Sequence, residues 1–245
     1  MMQRARRLGR LTLVAVTAAG LVAAAGAASH AEGLRVSPVT LEVTEPGATS
    51  TLTLRNDGRD PITVQTRVFR WVQEGGVEKY EPTRDVVVSP PMTQLAPGAT
   101  QNVRVVRTTK SRVKGEEAYR VFVDEVPDQS RRQNGTISFV TRLRIPVFFA
   151  EARARLPQVQ WSLHHSGGEA VLMAQNAGDV RLRLADVRMV QAGGTVDSHE
   201  GLFGYVLGGA SMQWPLGSAS KFGSGTVSLQ ADTSRGPLQA NVARR

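Results

Sequence analysis

The sequence predicts an all-β chain, a β-sandwich domain followed by a second, smaller all-β domain. Three observations carry this. Short apolar runs with two-residue alternation recur along the whole chain, as strands with one buried face require. Turn-forming groups separate them at intervals of roughly 8–12 residues: Glu45-Pro46-Gly47, Asn56-Asp57-Gly58, Glu74-Gly75-Gly76, Ser89-Pro90-Pro91 and Ala96-Pro97-Gly98. Helical periodicity is almost absent. The charged segment Glu151–Pro157 lacks alternation and ends in proline, so the boundary between the two domains is expected there.

Ahead of the first strand lies a segment of another kind. Arg4, Arg6, Arg7 and Arg10 form a basic leader, Leu11–Ala25 is apolar and uncharged, and Ser29-His30-Ala31 offers small residues at a cleavage site. This is the pattern of a secretory signal peptide spanning 1–31, cleaved after Ala31. The apolar core is short for a bilayer span of about 20 residues, and no later run is longer, so stable membrane insertion is not expected.

Within the first domain, taken as 32–150, Gly33–Glu45 reads as a strand broken by Pro38. Thr49–Arg55 alternates threonine with Leu52 and Leu54. Pro61–Val72 is rich in Ile, Val, Thr, Phe and Trp, and Val86–Val88 and Gln101–Arg107 follow. Tyr119–Val126 and Thr136 to about Phe149 complete the set, joined by a turn holding Pro127, Asp128, Asn134 and Gly135. The last strand is long, where about 5–6 residues is usual. It alternates Ile137, Phe139, Thr141, Leu143 and Ile145 with Ser138, Val140, Arg142 and Arg144. A long edge strand with a clean apolar row recruits other strands unless it is covered, so this edge is either covered or made for recruiting. After the 151–157 linker, the smaller domain 158–245 repeats the texture in Val159–Leu163, Ala170–Asn176, Val180–Val190, Leu202–Leu207, Met212–Leu216, Gly225–Ala231 and Leu238–Val242.

The residues offer little for catalysis. His164 and His165 read as exposed turn residues beside Gly167-Gly168, and no third ligand accompanies them. Ser89, Ser111 and Ser138 lack nucleophile-elbow glycines. Asp124 and Glu125 are neighbours on a strand and point apart, as at an exposed strand end. Asn134-Gly135-Thr136 reads as a turn rather than a glycan acceptor. There is no cysteine and no phosphate loop. No enzyme, metal or cofactor is therefore expected. The formal charge of +9 includes the arginine-rich leader. The remaining basic residues are scattered among strands of an exported chain, so nucleic acid is not the expected partner. Lys110–Lys114 reads as a solvated loop. Arg104, Arg142 and Arg144 sit within apolar strands and need a carboxylate, either native or supplied by a ligand.

Four stretches resemble the PapD-like periplasmic chaperones of chaperone–usher pili. They are Val88–Gly98 with its Ser-Pro-Pro and Leu-Ala-Pro-Gly, Gln101–Val105, Ala118–Pro127, and Thr141–Phe148. The Leu143–Phe148 ending is most similar to the archaic branch. The resemblance implies a boomerang of two immunoglobulin-like domains in the periplasm. It also implies pilin subunits and an outer-membrane usher as partners. Carried over by position, the strand donated to the pilin is Ile137, Phe139, Thr141 and Leu143. The pilin's terminal carboxylate is held by Arg144, with Arg142 one pleat earlier. The family's first-strand arginine falls here near Glu42, with Arg35 the nearest basic residue, so Arg104 or Arg120 is left to supply a second cation. The alternative is a secreted structural or adhesive protein that self-associates through the same edge.

Overall fold

The computed structural model describes residues 33–127 and 140–245. In chain order the strands are β1 (Leu34–Ser37), β2 (Leu41–Thr44), β3 (Thr49–Asn56), β4 (Ile62–Glu74), β5 (Val77–Pro82), β6 (Val86–Ser89), β7 (Met92–Leu95), β8 (Thr100–Arg107), β9 (Glu116–Val126) and β10 (Arg142–Ala150). They are followed by β11 (Val159–Ser166), β12 (Glu169–Asn176), β13 (Leu182–Gln191), β14 (Gly194–Val206), β15 (Ser211–Ser218), β16 (Val227–Thr233) and β17 (Gly236–Arg244). A single 3-10 turn at Ala219–Lys221 is the one helical element among the described residues.

The first sandwich packs a four-stranded sheet, β1-β3-β8-β6, against a six-stranded one, β2-β10-β9-β4-β5 with β7 also on β4. Its core follows from alternation. Leu52 and Leu54 of β3, Val103 and Val105 of β8, Tyr119, Val121 and Val123 of β9, and Ile145, Val147 and Phe149 of β10 all point inward. Gly33–Glu45, expected as one strand broken at Pro38, divides between the sheets: β1 pairs with β3, while β2 runs parallel to the end of β10. Proline cannot carry a ladder hydrogen bond, so the chain leaves one sheet at Pro38 and joins the other. The Lys110–Lys114 loop is less solvated than expected: Val113 is buried, and its N–H donates to Glu45 Oε1 at 2.7 Å.

The second sandwich is a seven-stranded sheet, β14-β13-β16-β17-β11-β12-β15, folded over its own core of Trp161, Leu172, Leu184, Met189 and Leu229. His164 and His165 lie within β11 rather than in the turn, with His164 Nε2 3.0 Å from Ser162 Oγ. No strand occupies the chain between Ala150 and Val159.

Candidate functional site

β10 is the strand with two different edges. Along one side it pairs with β9 over its full length, from Arg142 opposite Asp124 to Ala150 opposite Glu116. Along the other side β2 covers only Val147 to Ala150. From Arg142 to Pro146, therefore, no strand among the described residues lies on that side. Just before β10, Thr141 extends the pairing with β9: its carbonyl accepts from the Glu125 N–H at 2.9 Å. Of the expected donor row, Ile137 and Phe139 lie outside the described residues. Thr141 and Leu143 are half-buried, and Leu143 packs against the first core.

Alternation puts Arg142, Arg144, Pro146 and Phe148 on the opposite face of β10, away from the core. Residues of β9, β4 and β5 continue this face. Near Val126 it begins with Asp124, which is not the exposed strand end expected from the sequence. Its carboxylate is buried and accepts from Arg67 at 2.5 Å and from Arg142 at 2.6 Å. Burial alone would raise the Asp124 carboxyl, but the two arginines outweigh it and hold it below the ordinary aspartate range. Next comes an aromatic group, with Phe69 and Phe122 centroids 4.9 Å apart and Tyr80 and Phe122 5.3 Å apart. The Arg144 guanidinium lies 5.2 Å from the Phe122 ring centre and 5.5 Å from that of Tyr80. Beyond it Arg120 is buried 3.7 Å over Trp71. It donates to the Arg144 carbonyl at 3.3 Å and lies 3.9 Å from Glu78. Burial pulls this guanidinium below its ordinary value.

Three of the four arginines expected at the site, Arg120, Arg142 and Arg144, thus share one face. Arg104 is elsewhere. It is exposed on β8 in the four-stranded sheet, between the inward-pointing Val103 and Val105. Arg35 pairs with Asp57 at 2.7 Å beside that same sheet.

The face ends against the second sandwich, and here the structure adds residues that the sequence reading missed. Trp71, Ala118 and Phe148 pack against Tyr205 and Leu207, and Trp71 meets Tyr205 edge-on at 5.3 Å. Gln73 is buried there. Its amide N–H donates to the Tyr205 carbonyl at 2.8 Å and its carbonyl accepts from the Leu207 N–H at 2.9 Å, so the side chain pairs as a peptide group would. The Glu74-Gly75-Gly76 hairpin tip reaches β15, where the Gln213 N–H donates to the Gly76 carbonyl at 3.1 Å. Gly76 has φ +80°, and a Cβ there would sit 2.5 Å from the Gln213 side chain, so only glycine fits. Arg181 lies 3.5 Å over Phe148 and pairs with both Glu42 and Glu116. The position where the family's first-strand arginine was expected is therefore an acid engaged by an arginine of the other sandwich. Only tertiary placement reveals this, because nothing in the local pattern around Arg181 marks it. A cavity of about 500 Å³ opens beside this pair, lined by Glu42, Glu116, Phe148, Glu151, Arg181 and Arg235 among others. No group of three or more metal-ligating side chains gathers among the described residues.

Residues 33–152 match the family of pili and flagellar-assembly chaperones described by the PapD N-terminal domain. A search of curated proteins returned no match. Among solved structures, the chain is similar to one in the CsuC–CsuE chaperone–tip adhesion subunit pre-assembly complex, from archaic chaperone–usher Csu pili of Acinetobacter baumannii. The TM-score is 0.68 at 22% identity, covering 86% of this chain and 99% of that one. It is similar also to a chain of the Salmonella enterica SafA pilin–SafB chaperone complex, with TM-score 0.59, 18% identity, and 87% and 98% covered. The CupB2 chaperone of Pseudomonas aeruginosa gives 0.55 at 16%, with 84% and 98% covered. The first sandwich therefore belongs to the PapD N-terminal domain family of pili and flagellar-assembly chaperones, and both sandwiches share the fold of these structures over nearly their whole length.

Proposed function

We propose that the protein is a periplasmic chaperone that binds pilus subunits by adding a strand to them and delivers them to an outer-membrane usher. Export would use the leader ending at Ala31, and the working domains would be 32–150 and 158–245 joined by 151–157. The observation that carries this reading is the coincidence, on β10, of an open edge from Arg142 to Pro146 with Arg144, a cation that has no carboxylate partner among the described residues. A subunit lacking one strand has two unpaired edges and an apolar groove. A folded edge supplies main-chain hydrogen bonds along that groove. The row Ile137, Phe139, Thr141 and Leu143 would fill it. Arg144 would fix the register by holding the subunit's terminal carboxylate, because a slip of one residue would turn every side chain to the wrong face. Arg120 would add a second positive charge beside it, and Arg142, already bound to Asp124, would contribute field rather than a direct contact. Arg104, on the other sheet, would stand outside the anchor.

The test is purification of the tagged protein from periplasm, followed by identification of what accompanies it. A small β-rich subunit is expected. Its loss on Arg144→Ala is expected too, since removing one charged partner of a hydrogen-bonded pair costs about 1.5–3 kcal/mol, roughly tenfold or more in affinity. Recovery of the protein only as homopolymers would favour self-assembly through the same edge. Full retention by Arg144→Ala would move the anchor elsewhere.

A further inference from the structure

Three arginines share the outer face of β10 and β9, away from the first core, but their donors are not equally free. Arg142 is bound to Asp124. Arg120 stacks on Trp71, donates to the Arg144 carbonyl and approaches Glu78. Among the described residues, the Arg144 guanidinium is met by ring faces only, those of Phe122 and Tyr80. An aromatic face attracts a guanidinium through its quadrupole and uses none of its N–H groups. Such packing fixes the cation in place and leaves its planar fork of donors unspent.

A carboxylate, Glu78, is bound to one of these rings, that of Tyr80, and lies 3.9 Å from Arg120, which in turn donates to the Arg144 carbonyl. Glu78 and Tyr80 are two residues apart on β5 and share a face. The Tyr80 hydroxyl donates to Glu78 Oε2 at 2.5 Å, and Glu78 Oε1 is turned toward Arg120 at 3.9 Å. One oxygen of this acid is thus held by the Tyr80 hydroxyl and the other is nearest to Arg120, and no ion pair joins Glu78 to Arg144. Burial, followed by the Glu78 carboxylate, pushes the Tyr80 phenol up, so the hydroxyl keeps the proton it donates.

We propose that Tyr80 and Phe122 are positioning residues for carboxylate capture: their rings hold the Arg144 guanidinium, and the Tyr80 hydroxyl restrains Glu78 from neutralising it. This rests on the reading of Arg144 as the anchor for a subunit's terminal carboxylate. It adds that the anchor is kept vacant by an internal hydrogen bond. Removing the hydroxyl while keeping the ring releases Glu78, which then competes for Arg144 as an internal ligand. Removing the Glu78 charge as well abolishes that competitor.

The test uses the full exported chain and an N-acetylated peptide of alternating valine and threonine, made with a free terminal carboxylate and with a terminal amide. The readout is the ratio of the two affinities by titration calorimetry. The parent is expected to prefer the carboxylate. Tyr80→Phe should reduce that preference roughly tenfold, and Tyr80→Phe/Glu78→Gln should restore it. Phe122→Leu should reduce it with no rescue by Glu78→Gln, because the ring itself is lost. An unchanged preference in Tyr80→Phe, or failure of the double variant to recover, would overturn the proposal while leaving the anchor in place. Equal affinities for both peptides in the parent would overturn the anchor itself, and this proposal with it.

Discussion

Asp124 illustrates what a single residue can and cannot announce. In sequence it is one of two adjacent acids near a strand end. In the fold it is the acceptor for Arg67 and Arg142, brought together because β4, β9 and β10 lie side by side in register. Its depressed pKa has a definite consequence. A carboxyl with a folded pKa below its unfolded value contributes stability that is complete above the unfolded pKa, about 3.9, and is lost as pH falls through the folded value. Thermal melting of the parent should therefore drop as pH goes below about 4, and Asp124→Asn should flatten that part of the profile. At neutral pH the variant should be destabilised by only about 1 kcal/mol, because both arginines are substantially exposed and water screens them. Arg142 and Arg144 were legible as the unusual cations of an apolar strand, since strand parity alone sets them apart. The same parity also singled out Arg104, which lies on the other sheet, whereas Arg120 entered only as a second cation suggested by the family resemblance. Arg67, Tyr80, Gln73 and Arg181 were not legible as site residues, because their roles depend on which strand lies beside which and on the second sandwich.

Among the strands, those with regular alternation were the easiest to read. β3, β8 and β9 fall close to where threonine–leucine or valine–arginine alternation places them. The split of the first strand between two sheets was beyond periodicity. Pro38 marks a break, but whether the chain resumes in the same sheet is a tertiary matter. For β10, described from Arg142 onward, the uneven edge predicts uneven hydrogen exchange. Amides from Val147 to Ala150, flanked by β2 and β9, should be the slowest of the strand. Amides from Arg142 to Ile145 that point away from β9 should exchange faster in the free protein and become protected when a subunit binds. Mass-spectrometric or NMR exchange of free and loaded protein checks this. Protection of those amides in the free monomer would mean that the edge is already covered. Leu143→Asn should lower the melting temperature of the free protein as well as weaken binding, since this side chain packs against the first core.

Across the whole molecule the sandwiches are joined by specific contacts rather than by the linker alone. Trp71 is 2% exposed and packs against both Phe148 and Tyr205, which also meet each other. Trp71→Ala should cost about 3–5 kcal/mol, as for other large buried aromatics. Calorimetry should then resolve two transitions where the parent unfolds in one, because the hydrophobic joint is removed while each core stays intact. The two-domain all-β architecture was readable from strand count and spacing, but this joint was not, as its members are scattered over β4, β9, β10 and β14.

The short overlap of β2 with β10 has a last consequence. A strand laid along Arg142–Pro146 cannot continue to Val147, because Leu41 already occupies that place. Under the proposed function, the first sandwich would work as a gauge with a hard stop. It measures how far a guest may advance, independently of charge. A guest chain lengthened by two residues beyond its natural terminus, carboxylate retained, should be rejected nearly as well as one whose carboxylate is removed, and truncating β2 should relieve the first defect without touching the second.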